Sequence, residues 1–83
     1  MGMVEVYGAD WCKDTQRTRR HLDSLGVAYQ YINVEQDPQA SAWVKQQHGG
    51  KERKPTVKIG AQVLAEPSDH ALEQALRQEG LVR

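Results

Sequence analysis

The sequence has no phenylalanine, one cysteine and only three prolines in 83 residues. Without Phe, a core has to be filled by Leu, Val, Ile, the tyrosines and two tryptophans. One cysteine cannot form an internal disulfide, so nothing in the chain calls for an oxidising compartment. Net charge is absent as well: eleven Lys and Arg balance eleven Asp and Glu. That balance argues against nucleic acid or an anionic membrane as a partner. No apolar run approaches the length of a membrane span. Met1-Gly-Met-Val-Glu5 lacks the charged region and long apolar segment of a signal peptide. The expected setting is the cytoplasm and the expected state a monomer. Eighty-three residues without repeat, linker or low-complexity stretch imply one domain, residues 1–83, near the lower size limit for comfortable stability.

What is present is organised around Gly8-Ala9-Asp10-Trp11-Cys12-Lys13-Asp14-Thr15. Met3–Tyr7 alternates and is rich in β-formers, which reads as a first strand. Cys12–Leu25 contains no Pro or Gly and stops at Gly26, which reads as a helix with a thin apolar face of Cys12, Thr15, Thr18, Leu22 and Leu25. Its arginines, Arg17, Arg19 and Arg20, are either a solvated face or a docking patch for an acidic partner. Val27–Val34 is apolar on both faces, as a buried parallel strand is. Asp37-Pro38 starts a second helix that carries Trp43 and Val44 and ends at Gly49-Gly50. Trp43 is expected to anchor the core. Pro55–Ile59 and Gln62–Ala65 form a hairpin across Gly60-Ala61. Ser68 caps a last helix with Ala71, Leu72, Ala75 and Leu76 as its buried face. The order is βαβαββα, a four-stranded mixed sheet flanked by three helices.

The chemistry centres on Cys12. A strand-to-helix junction places it at a helix N-terminus, where unpaired N–H groups and a partial positive charge favour thiolate over thiol. Thr15, one turn on, is positioned to hydrogen-bond that thiolate. Lys13 favours the charged sulfur, whereas Asp10 and Asp14 oppose it. The other reading of a lone cysteine is a small buried hydrophobe. His21, His48 and His70 fall on three different predicted helices without paired-ligand spacing, so a protein metal site is not expected and surface histidines are.

Along essentially its whole length the chain resembles the glutaredoxins, and most closely their mycoredoxin-like branch. Four stretches carry the resemblance. Trp11-Cys12 stands where the family has its C-x-x-C or C-x-x-S centre. Tyr31-Ile-Asn-Val-Glu-Gln-Asp-Pro38 resembles its second strand and the acidic turn that follows. Gly49-Gly50 and then Lys54-Pro55-Thr-Val-Lys-Ile take the place of the T-V-P motif, and Pro67-Ser68-Asp69 the place of the Gly-Cys-Asp or Pro-Ser-Asp before the last helix. The resemblance implies a thioredoxin-like fold. It also implies a thiol-disulfide oxidoreductase that reduces mixed disulfides between proteins and a low-molecular-weight thiol, with no tightly bound cofactor. Cys12 would then be the nucleophile and Pro55 a cis-proline opposite it, with the Lys54 backbone aimed at the disulfide. Ser68 and Asp69 would receive the amino-acid end of the small thiol, and Trp11 would line the groove. For Ser68 and Asp69 the alternative is plain helix capping, and for Trp11 ordinary packing.

Three departures shape this reading. Thr15 replaces the second cysteine, so only a single-thiol mechanism survives, in which a second small thiol resolves the intermediate. Ala9 stands where many glutaredoxins have a lysine, and Arg53-Lys54 replaces the residues before the proline. The co-substrate is then glutathione or an analogue such as mycothiol, with the basic 51–54 loop expected to supply positive charge for a carboxylate. Two other functions stay open: an iron–sulfur carrier of the single-cysteine glutaredoxin type, disfavoured by Cys-Lys-Asp-Thr in place of Cys-Gly-Phe-Ser, and a redox-silent thiol-binding module.

Overall fold

The computed structural model describes residues 3–83. Its elements are β1 Val4–Gly8, α1 Lys13–Ser24, β2 Gln30–Asn33, α2 Pro38–Gln47, β3 Thr56–Ile59, β4 Gln62–Ala65 and α3 Asp69–Gln78. The four strands form one sheet in the order β2-β1-β3-β4. β1 and β2 run parallel, while β3 is antiparallel to both β1 and β4. The expected element order and mixed sheet are therefore what the chain adopts.

Period-two burial along β1 divides the molecule. Val4 and Val6 face a cluster containing Val57 and Ile59 of β3, Leu22 of α1, and Leu72, Ala75 and Leu76 of α3. On the opposite face Tyr7 packs with Ile32 and Trp43 against Val34, Ala40 and Val44. The Tyr7 and Trp43 rings lie 4.7 Å apart, so Trp43 anchors that second cluster as expected. Helices α1 and α3 thus cover one face of the sheet and α2 the other.

Local rules explain most boundaries. Asp37 accepts a hydrogen bond from Ala40 N–H at 3.0 Å with Pro38 at the first helical position. Ser68 does the same for Ala71 N–H at 3.1 Å. Gly26, with φ of +70°, ends α1, and Val27 N–H returns to the Leu22 carbonyl at 3.1 Å.

Three expectations need correction. β2 spans Gln30–Asn33, not 27–34, and it is half-buried because it lies at the sheet edge with β1 as its only partner strand. Tyr29 and Tyr31 pack their rings against the core cluster and hydrogen-bond their hydroxyls to Arg19 and Asp10, which a hydropathy pattern reads as burial on both faces. Ala71 is exposed, since it lies in the first turn of α3, ahead of the buried stripe Leu72, Ala75 and Leu76. His21 and His48 are not free surface histidines. His21 Nε2 is 2.8 Å from Glu73 Oε2 and clasps α1 to α3, and His48 Nε2 is 3.1 Å from Thr56 Oγ1. His70 is exposed.

Candidate functional site around Cys12

The site grows from the end of the central strand. β1 ends at buried Gly8, and Ala9 is buried too, so the chain can surface only at Asp10 and Trp11 before α1 begins. Cys12 N–H donates to the Ala9 carbonyl at 3.1 Å and closes that turn. Cys12 is the N-cap of α1 and its side chain makes no capping bond, which leaves the first-turn N–H groups beside a half-buried thiol. The Sγ points at the Lys54 carbonyl oxygen, 3.9 Å away. The Lys54–Pro55 bond is cis and Pro55 is fully buried.

Trp11 completes this rim. It is 64% exposed, with Nε1 donating to Glu35 Oε2 at 2.8 Å and the Lys54 ammonium 5.4 Å from its ring centroid. Trp11, Cys12, Lys54 and Pro55 are therefore brought together, and Glu35 joins them. Ser68 and Asp69 make no hydrogen bond to Cys12 or Lys54 among the described residues. The Ser68 hydroxyl caps α3, and Asp69 Oδ1 is 3.8 Å from Arg17 Nε, an exposed pair of little energetic weight.

Thr15 does not occupy its expected place. Its side chain is completely buried and its hydroxyl, aimed under β1 at Gly8, has no hydrogen-bond partner. The expected bond to the sulfur is not formed. A buried, unpaired hydroxyl is destabilising by about 1–3 kcal/mol. Thr15→Val, which keeps the shape, should therefore raise stability by about 1 kcal/mol in urea unfolding and leave the pH profile of Cys12 alkylation unmoved. A loss of stability, or a rise in the alkylation midpoint, would restore the hydroxyl to the sulfur.

Some of the charged groups around the site are engaged by neighbours. Tyr31 donates to Asp10 Oδ1 at 2.7 Å, which engages the carboxylate that opposes a thiolate. The Tyr31 hydroxyl is pushed up to about 12, first by burial and then by that bond to Asp10. Arg19 is stacked 3.9 Å from the centroid of the Tyr31 ring and donates to the Tyr29 hydroxyl at 3.3 Å, so this member of the arginine cluster is a staple between α1 and the β2 region.

The 51–54 loop also differs from expectation. Lys54 Nζ is 2.9 Å from Glu52 Oε1, and Arg53 is 3.3 Å from Glu66. Of the three cations expected to serve a carboxylate, Lys54 is held in a mostly buried pair, Arg53 only in an exposed one of little energetic weight, and Lys51 has no ion pair among the described residues. Glu52 accepts in turn from the Ser41 hydroxyl of α2. That bond first, and Lys54 second, hold its carboxyl below the usual range. The loop is tied to β3 as well. Thr56 donates its one hydroxyl proton to the Arg53 carbonyl at 2.8 Å, so His48 Nε2 must donate to Thr56 Oγ1.

Glu35, Glu52 and Tyr31 were not marked by sequence reasoning. Only the carboxylate of Glu52, inside a basic run, carried a local signal. Among the described residues no group of three or more His, Cys, Asp or Glu side chains converges as a metal site. No helix among them is long and apolar enough to cross a membrane.

Comparison with known proteins agrees with this geometry. The glutaredoxin family model matches residues 4–64. Mycoredoxin 1 of Corynebacterium glutamicum is 38% identical over 58 residues, covering 70% of this chain and 71% of that protein. A mutant of the thioredoxin-like protein BC3987 superposes with a TM-score of 0.83 at 27% identity, covering 93% of this chain and 97% of that one. The glutaredoxin-like NrdH-redoxin from Escherichia coli has the same fold, with a TM-score of 0.77 at 21% identity over 86% of this chain and 91% of that one. A half-buried thiol at the head of α1, a cis-proline beside it and a matching family model over 4–64 lead to one assignment: the chain has the thioredoxin-like fold and belongs to the glutaredoxin family, as a homologue of mycoredoxin.

Proposed function

We propose that this glutaredoxin-family protein reduces mixed disulfides between proteins and a low-molecular-weight thiol by a single-thiol mechanism. The carrying observation is the position of Cys12, the one thiol of the chain, half-exposed at a helix N-cap and 3.9 Å from the carbonyl that precedes cis-Pro55. The Cys12 thiolate attacks the small-thiol sulfur of the mixed disulfide. The S–S bond breaks and the client cysteine leaves as a thiolate, taking a proton from solvent. Cys12 is then disulfide-bonded to the small thiol. A second small thiol, as its thiolate, attacks the small-thiol sulfur of that bond, regenerating Cys12 and releasing the symmetrical disulfide. Lys54 and Pro55 flank the attacking sulfur, Trp11 lines the rim, and the Ser68-Asp69 backbone at the head of α3 receives the far end of the small thiol.

The preferred small thiol carries little charge, as mycothiol does, in contrast to glutathione with its carboxylates. Pairing of the mostly buried Lys54 ammonium with Glu52 supports this, as does Ala9 in place of a lysine. The resemblance to Mycoredoxin 1 points the same way. One client peptide, thiolated either with mycothiol or with glutathione and supplied with the matching free thiol, tests the reading. Turnover of the mycothiol form should exceed that of the glutathione form by about tenfold in kcat/KM, which corresponds to 1.4 kcal/mol. Preference for glutathione would overturn the charge argument. Absence of turnover with both would leave a redox-silent binding module.

A further inference from the structure

We propose that Glu52 is a positioning residue that sets small-thiol selectivity: by holding the Lys54 ammonium it turns the Cys12 site away from anionic thiols. This inference rests on the small-thiol reading above and assigns its selectivity to a residue that does not touch the sulfur.

Lys54 meets the site twice. Its carbonyl oxygen lies 3.9 Å from Cys12 Sγ, and its ammonium lies 5.4 Å from the ring centroid of Trp11, the residue before the cysteine. A disulfide approaching the sulfur past Trp11 meets that ammonium. Left alone, it would attract a carboxylate. It is not alone: Glu52 Oε1 stands 2.9 Å away, with the two side chains only 19% and 23% exposed. The pair is anchored as well as close, because the Ser41 hydroxyl of α2 donates to the same carboxylate. Arg53 and Glu66 form a looser pair, each close to half exposed.

The other charges nearby are of both signs. Glu35, which accepts from Trp11 Nε1 at 2.8 Å, has no ion-pair partner among the described residues. Lys13, next to the sulfur in sequence, has no ion pair among the described residues, and its neighbour Asp14 pairs with Arg17 at 3.9 Å. With Glu52 in place, the charged groups in contact with Trp11 (Lys54 and Glu35) include no cation without a counter-ion. With Glu52 neutralised, one such cation appears. Lys54 and Ser41 use different oxygens of Glu52, so Glu52→Gln removes the charge and keeps one acceptor, its oxygen towards the Lys54 ammonium, while its amide NH2 donates to the Ser41 hydroxyl in place of accepting from it.

The experiment follows single-step, stoichiometric exchange of Cys12 with two symmetrical disulfides, anionic bis(2-carboxyethyl) disulfide and neutral bis(2-hydroxyethyl) disulfide. It needs no second thiol and no turnover. The readout is the ratio of the anionic to the neutral rate. Glu52→Gln should raise that ratio about fivefold at low salt, the effect of one unit charge at this range and partial screening. The gain should fade near 1 M salt. Lys54→Met should lower the ratio, and the double variant Glu52→Gln/Lys54→Met should return it towards the wild-type value. A ratio unchanged in Glu52→Gln, or the same loss of rate with both disulfides, would overturn the proposal as a merely structural effect. If the wild type turns over mixed disulfides while the Glu52→Gln ratio stays put, only the selectivity assignment falls. If Cys12 reacts with neither disulfide, the exchange reading and this inference fall together.

Discussion

Gly8→Ala should destabilise the protein by about 3 kcal/mol, the upper end of what overpacking a core costs. A Cβ at this position would stand 2.4 Å from Thr15 Oγ1, 2.5 Å from its Cγ2 and 3.0 Å from its Cβ. Neither partner has room to withdraw. Gly8 is registered against Asn33 of β2 and its carbonyl accepts from Val34 N–H at 3.0 Å, while Thr15 is fully buried between α1 and the sheet. A chain of this size has a total stability on the order of 5–10 kcal/mol, so the loss would be a large share of it. Urea unfolding measures it directly, and an unchanged midpoint would show that the strand and helix separate more easily than their contacts suggest. Adding Thr15→Ala removes the two nearest atoms and leaves only the 3.0 Å contact. The double variant should therefore recover about 1–2 kcal/mol relative to additivity. Because both residues lie immediately behind the Cys12 loop, this pair fixes how far the head of α1 stands from β1.

Cys12→Ser should abolish thiol-disulfide exchange, by more than about a thousandfold, while leaving stability within about 0.5 kcal/mol. A serine hydroxyl is not ionised near neutral pH, and no other thiol in the chain can inherit the reaction. The small stability effect follows from the side chain's surroundings. Cys12 is only half-buried, makes no capping bond and has one long contact, to the Lys54 carbonyl. Exchange assays with the wild type and the variant, beside their unfolding curves, check both halves. Residual exchange in the serine variant would sink the nucleophile assignment. A variant that is inactive and also unfolded would show that the sulfur supports the fold more than its contacts imply. Any disulfide formed by oxidising the wild type without a small thiol should link two chains, since the chain holds no second cysteine.

The parts of this molecule that were legible beforehand are those governed by neighbours in sequence. Asp37 with Pro38, and Ser68 ahead of α3, announce helix starts because a cap and its target N–H are three residues apart. Gly26 and Gly60 announce reversals because their φ angles, +70° and +58°, are ones other residues avoid. The strand-to-helix placement of Cys12 followed from the same local grammar. What escaped depends on which strands become neighbours and which surfaces meet. β2 read as buried because its edge position is a property of the strand order. Thr15 read as facing the sulfur because one-turn spacing fixes a helix face, and the face it shares with Cys12 also contains Gly8 of the sheet. The partners of Glu52 and Asp10 lay out of reach for a third reason. Ser41 and Glu52 are brought together by the return of the chain after α2, and Tyr31 and Asp10 by the parallel pairing of β2 with β1. A charge run in sequence gives the number of cations but not which of them are already taken.

The group of residue 54 that faces the sulfur is its main-chain carbonyl, and any residue placed there would still carry one. The side chain at 54, and its counter-ion at 52, can thus be exchanged without deleting the group nearest the reacting atom. Under the selectivity proposed for Glu52, reactivity and choice of co-substrate become separately editable. A redesign that retargets the domain to a different cellular thiol pool would begin at these two positions and leave the strand, the turn and Cys12 alone.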